Sequence, residues 1–116
     1  MPDKNKQSPE PKKLSVDLSG QVAVVTGASQ GLGRSIAETL AANGALVALV
    51  ARNVEKLSQV ASSIHEAGGK AEVFPCDVTK PESISEVIES IVEKLGRLDV
   101  LVNNAGITRD TLLPRM

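Results

Sequence analysis

The feature that most constrains this chain is an alternation that begins near Leu18, in which short, continuous apolar runs are separated by longer segments of helical period. The runs are residues 21–26 (QVAVVT), 45–50 (ALVALV), 71–76 (AEVFPC) and 98–103 (LDVLVN), mostly Val, Leu and Ala. They lack the polar alternation of a half-solvated strand. They therefore read as strands covered on both faces, as happens when parallel strands are joined by crossover helices. Pro75 has no N–H to give a ladder, which places the third run at a sheet edge or ends it early.

Between the runs, Leu57, Val60, Ala61 and Ile64 recur at helical spacing, as do Ile84, Val87, Ile88, Ile91, Val92 and Leu95. These predict two amphipathic helices with one apolar stripe each. Thr79 with Glu82 has the form of a capping box, Pro81 falls in the first turn, and Gly96 follows the last stripe residue as a stop. Gly44 closes an earlier helix that begins near Gly33, and Gly68 with Gly69 closes the second. Right-handed crossovers then predict an α/β chain with its first strand central and spatial order 3-2-1-4. The fourth run is left as an apolar edge, which natural sheets avoid because it templates aggregation. On that ground the sequence reads as cut, with Met116 an arbitrary end.

With 116 residues there is room for one small domain or part of a larger one. Thirteen basic against 14 acidic side chains leave a net charge of −1, which argues against nucleic acid or an anionic membrane as partner. There is no Tyr, no Trp and one Phe, so no tyrosine phenol within these residues can donate a proton. A single cysteine, Cys76, and a single histidine, His65, exclude an intrachain disulfide and a His-based metal site. A reducing, cytoplasmic setting fits that usage. Residues 1–13, with Lys4, Lys6, Lys12, Lys13 and three prolines but no following apolar core, read as a disordered tail and not a signal peptide. No apolar segment approaches the roughly 20 residues needed to span a bilayer.

The strongest chemical signal lies where the first run breaks into Thr26-Gly27-Ala28-Ser29-Gln30-Gly31-Leu32-Gly33 and then into the Ala-rich SIAETLAA. Gly27 can turn the chain sharply off the strand, Gly31 lets backbone approach a pyrophosphate with no Cβ in the way, and Gly33 permits close helix-to-sheet packing. The unpaired N–H groups at the start of the next helix would face the phosphates. In this context the segment predicts a dinucleotide site; the bland alternative is a glycine-rich turn with no ligand.

The spacing is T-G-x-x-x-G-x-G, and Asn103-Asn104-Ala105-Gly106 stands at the end of the fourth run. Together these motifs resemble the short-chain dehydrogenase/reductase family over residues 18–116. The stretch 103–116 (NNAGITRDTLLPRM) is most similar to the 3-oxoacyl-[acyl-carrier-protein] reductases, NADPH-dependent enzymes of type II fatty-acid synthesis. The resemblance implies the N-terminal half of a Rossmann-type doubly wound parallel sheet, in three α/β/α layers, with residues 14–116 forming a truncated NAD(P)-binding domain. It also implies that the full-length protein reduces 3-oxoacyl-[acyl-carrier-protein] to the 3-hydroxyacyl form, takes a thioester on acyl-carrier protein as partner, and assembles as a homotetramer. Another alcohol or ketone substrate is the alternative within the family. A non-catalytic nucleotide-binding module, its open fourth strand paired with a partner, is the alternative outside it.

Cofactor choice turns on the end of the second run, where a fold that prefers NAD places a carboxylate on the ribose hydroxyls. Here Ala51 and Arg52 stand instead, and a guanidinium can pair with a 2′-phosphate, so NADP(H) is expected. The other reading of Arg52 is a solvated helix-start residue. Gln30 departs from the pattern, because relatives that use NADP often carry a basic residue there. The resemblance further implies that Asp77 and the Val78 amide meet the adenine, and that Asn104, Ala105 and Gly106 lie along the adenosine and its ribose. Asp77 has a structural alternative, capping the loop before Thr79. Asn103 reads as a brace between strands through side-chain hydrogen bonds to backbone. The cofactor-binding set is thus Thr26, Gly27, Ser29, Gln30, Gly31, Leu32, Gly33, Arg52, Asp77, Val78, Asn104, Ala105 and Gly106. His65 and Cys76 take bland readings, a helix-side residue and a strand-end hydrophobe near enough to the cofactor to be oxidised. Glu82, Glu86, Glu89, Glu93 and Lys94 read as a solvated face.

The resembled enzymes use a Tyr as proton donor, a Lys that lowers its pKa and a Ser that orients the substrate. The Tyr and Lys come from a Y-x-x-x-K helix absent from these residues. The chain alone is therefore expected to be catalytically inert, holding the adenosine and pyrophosphate half of the site.

Overall fold

Runs of β-branched and aliphatic residues become strands wherever both faces can be covered, and the chain does this four times among residues 17–77 and 79–104, those that a computed structural model describes. The elements alternate as β1 Val22–Thr26, α1 Gly31–Ala42, β2 Leu46–Ala51, α2 Val54–Glu66, β3 Lys70–Pro75, α3 Pro81–Leu95 and β4 Val100–Asn103. All pairings are parallel, in the order β3-β2-β1-β4, as the crossover argument predicts. Pro75 ends the edge strand β3, where its missing donor costs least. The tail expected over residues 1–13 lies outside the described residues.

Register divides the side chains between two faces. Ala23, Val25, Val47 and Leu49 join the stripes of α1 and α2 in one buried cluster, with Leu57, Val60 and Ile64 from α2. Val22, Val24, Ala48 and Val50 point the other way and meet Ile91 of α3. The result is three layers, α/β/α, with two helices on one face and one on the other. β1 and β2 are buried almost throughout, whereas β4 alternates half-buried and exposed positions.

Three details differ from expectation. The α3 stripe is only partly used: Ile91 is buried with Val87 and Leu95 beside it, while Val92 remains 39% exposed. Thr79 is not the N-cap of α3. That position is Lys80, which makes no side-chain cap, because the Thr79 hydroxyl and N–H both donate to Asp77 Oδ1, at 2.6 and 3.1 Å. Asp77 Oδ1 gathers both Thr79 donors into a local turn that ends just before the N-cap, so Thr79 precedes that position instead of filling it. Finally, β4 starts at Val100, two residues later than predicted. Asp99 is diverted to other work: it accepts from the Val22 N–H at 2.8 Å and from Arg97 through two bonds, both at 2.8 Å. The Arg97 bond, then the Val22 amide, hold the Asp99 carboxyl below the usual carboxylate range.

The remaining charged residues behave as a solvated surface. Glu82, Glu86, Glu89 and Glu93 are exposed, and Lys94 pairs with Glu72 at 3.2 Å while lying over the Phe74 ring. His65 is exposed, its Nε2 within 3.2 Å of the Ala71 carbonyl. No helix among the described residues is long and apolar enough to cross a membrane.

Candidate cofactor site

Because the strands are parallel, their C-terminal ends share one edge of the sheet, and the chain leaves that edge at Gly27, Arg52, Cys76 and Asn104. Connections run to opposite faces on the two sides of β1, which opens a crevice there. Gly27 makes the first turn at φ +65°, a conformation costly for any residue with a Cβ. Ala28 then folds back, fully buried, and donates its N–H to the Val50 carbonyl at 3.2 Å. At Gly33 a Cβ would lie 2.0 Å from the Gly27 carbonyl oxygen and 2.7 Å from Asn104 Nδ2, so only glycine allows α1 to begin this close to the sheet.

The strand ends are tied below this loop. Thr26 is buried, and its hydroxyl donates to Asn103 Oδ1 at 3.0 Å. Asn103 thus does brace β4 to β1, though through a side-chain partner where a backbone one was expected. Asn104 Nδ2 donates to the Gly27 carbonyl at 3.2 Å, so this residue clamps the glycine turn.

Above the loop, the N-terminus of α1 is unlike the other two. Asn53 caps α2 by accepting from the Lys56 N–H at 3.0 Å, and Glu55 and Glu82 place a carboxylate in the first turns of α2 and α3. The α1 N-cap, Gln30, makes no side-chain cap, and no acidic residue lies in its first turn. The amides there, with their partial positive charge, are left for an anion. Gly31 has φ +61°, and a Cβ on it would meet open space. Leu32 is 62% exposed beside it, and Ser29 is half-buried on the turn.

Arg52 projects from the end of β2, exposed, while Ala51 is buried. From the first turn of α2, Lys56 Nζ donates to Gln30 Oε1 at 2.7 Å. Asp77 stands at the end of β3; its hydroxyl and amide bonds from Thr79, with smaller help from Arg52 and Lys80, hold its carboxyl low. Cys76 packs on the α3 face, where burial first, then the Asp77 and Glu86 charges, push its thiol up, away from a reactive thiolate.

This arrangement has counterparts. The family profile described as short chain dehydrogenase matches residues 21–116. The chain belongs to that family. The chain is 50% identical over 101 residues to 3-oxoacyl-[acyl-carrier-protein] reductase FabG of Escherichia coli K12, covering 87% of this chain and 40% of that protein. It is 44% identical over 90 residues to the fatty acyl-CoA reductase of Acinetobacter baylyi, covering 78% of this chain and 30% of that one. Among solved structures it is similar to a metagenomic short-chain oxidoreductase in complex with NADP, at 52% identity and TM-score 0.73, over 78% of this chain and 41% of that one. The chain therefore spans less than half the length of the relatives it matches.

Of the residues expected from sequence to form the site, the short-chain dehydrogenase fold brings Gly27, Ser29, Gln30, Gly31, Leu32, Gly33, Arg52, Asp77 and Asn104 to one sheet edge, with Thr26 buried beneath them. Val78, Ala105 and Gly106 lie outside the described residues. Sequence reasoning missed Lys56. The signal available was Asn53 three residues earlier, a helix cap that fixes where Lys56 starts, but the contact with Gln30, 26 residues away, has no local signature.

Proposed function

We propose that this short-chain dehydrogenase binds NADP(H), and that at its natural length it reduces 3-oxoacyl-[acyl-carrier-protein] to the 3-hydroxyacyl thioester. The observation that carries the cofactor reading is the uncapped, acid-free N-terminus of α1 beside an open Gly31, with Arg52 in place of a carboxylate at the end of β2. The bound cofactor would supply a hydride. The protein's share is positional. Amides from Gly31 onward would hold the pyrophosphate, Gly27 and Gly33 keep the backbone close, and Asn104 holds the turn in shape. Arg52 would pair with a 2′-phosphate, and Asp77, already fixed by Thr79, would accept from the adenine amine. The substrate reading is supported by the identity with FabG; the similarity to a fatty acyl-CoA reductase keeps a neighbouring carbonyl substrate in view. A homotetramer in a reducing cytoplasm goes with the same reading.

The test is Arg52→Asp in the natural-length protein. Charge-assisted bonds to a phosphate are worth about 1.5–3 kcal/mol, so NADPH affinity should fall by roughly ten- to a hundredfold while NADH is retained or improved, as measured by equilibrium titration. Unchanged relative affinities would remove the case for NADP. Oxidation of NADPH by a 3-oxoacyl thioester, set against an acyl-CoA, then separates the two substrate readings.

A further inference from the structure

The contact between Lys56 and Gln30 bridges the segments that follow β1 and β2, on the face of the sheet covered by α1 and α2. Gln30 precedes Gly31 as the N-cap of α1, and Lys56 belongs to the first turn of α2, which follows Arg52. The Asn53 cap fixes the Lys56 backbone by accepting its N–H at 3.0 Å, so its long side chain starts from a defined point. The partner of the ammonium is a neutral carboxamide. Arg34, Lys94 and Arg97 are each paired with a carboxylate, at 2.9, 3.2 and 2.8 Å, whereas Lys56 has no ion pair among the described residues. An amide oxygen aims a cation without neutralising it, and an ammonium has three N–H donors, of which Gln30 takes one. The start of α2 thus carries an ammonium whose side-chain partner is a neutral amide, four residues after Arg52.

We propose that Lys56, aimed by Gln30, is a specificity-determining residue that recognises the 2′-phosphate of NADP(H) together with Arg52. Gln30 is then a positioning residue, and the positive charge that the glycine loop lacks is delivered to it from α2. Resting on the NADP(H) reading above, this assignment divides the recognition between Arg52 at the end of β2 and Lys56 in the first turn of α2, and predicts that neither alone gives full discrimination.

The experiment is equilibrium titration of the natural-length protein with NADPH and with NADH, followed by nicotinamide fluorescence, for the wild type, Lys56→Ala, Lys56→Arg and Gln30→Ala. Lys56→Ala should weaken NADPH about tenfold and change NADH less than twofold, since only NADPH carries the extra phosphate. Lys56→Arg should restore most of the loss, and Gln30→Ala should weaken NADPH by roughly threefold by freeing the ammonium from its aim. If the wild type prefers NADPH and Lys56→Ala leaves the preference intact, the role of Lys56 falls while the cofactor reading stands. Equal loss for both cofactors would place Lys56 on the shared pyrophosphate or in the shape of the loop, and would also overturn the proposal. A wild type with no preference for NADPH overturns the cofactor reading itself, and this inference with it.

Discussion

The two faces of the sheet are built from similar side chains and end up differently. On the α1/α2 face every stripe residue of α2, Leu57, Val60, Ala61 and Ile64, is buried. On the other face α3 carries a longer apolar stripe and buries only Ile91. Leu101 lies on that face, in register with Val24, and stays 50% exposed. Topology supplies the reason. A helix about 10 Å across covers roughly two strands spaced about 4.8 Å apart. Two short crossovers therefore cover one face, while the single crossover from β3 to β4 lies over β1 and β2 and leaves β4 bare. Apolar pattern shows which residues want cover; connectivity decides which of them receive it.

The sharpest way to break the comparison is to cut a cavity into the covered face. Leu49→Ala should cost about 2–5 kcal/mol in chemical denaturation, because the side chain is fully buried against α1 and α2. A loss below 1 kcal/mol would mean that this face is no tighter than the other. Next comes the joint between the covered face and the candidate site. In Gly33→Ala the new Cβ meets the Gly27 carbonyl at 2.0 Å, so α1 must move off the sheet at a cost of about 1–3 kcal/mol. That shift should also spoil the amide geometry and weaken cofactor binding in a titration; full affinity would show that the loop tolerates a wider approach. The smallest effect is expected on the open face. Leu101→Ala removes a side chain already half in water and should cost under about 1 kcal/mol. A loss approaching that of Leu49→Ala in the natural-length protein would show that more chain, or a partner, covers β4.

Acid provides a gentler probe of the N-terminal end of β1. Asp99 has its carboxyl held low by Arg97 and the Val22 amide, so its contribution is present above the unfolded carboxylate pKa and is lost as pH falls through the lower folded value. Being exposed, it shapes the edge where β1 meets the turn into β4 more than it holds the fold together.

Much of the candidate site's geometry was legible because its signals are local. Gly27 and Gly33 answer constraints set by the adjoining backbone, a positive φ and a near contact. Arg52 follows from its place at a strand end. Asn104 was expected along the adenosine, and nothing local marked it as the clamp on Gly27, since that bond spans 77 positions. Thr79 was misread because a capping box is a pattern of residue types, and a turn closed by Asp77 puts the N-cap one residue later, at Lys80. Lys56 was missed for the converse reason: its local partner, Asn53, takes only its backbone N–H, and the partner of its side chain lies 26 positions away.

By itself the sequence determined the number and kind of the elements, the parallel order of the strands and the glycine loop, because period, strand hydrophobicity and backbone conformation are short-range properties. Only the tertiary structure decided which apolar stripe is covered, that α1 begins without a cap, and that an ammonium from α2 reaches Gln30. These depend on how far apart the crossovers set the helices, a distance that no window of sequence contains.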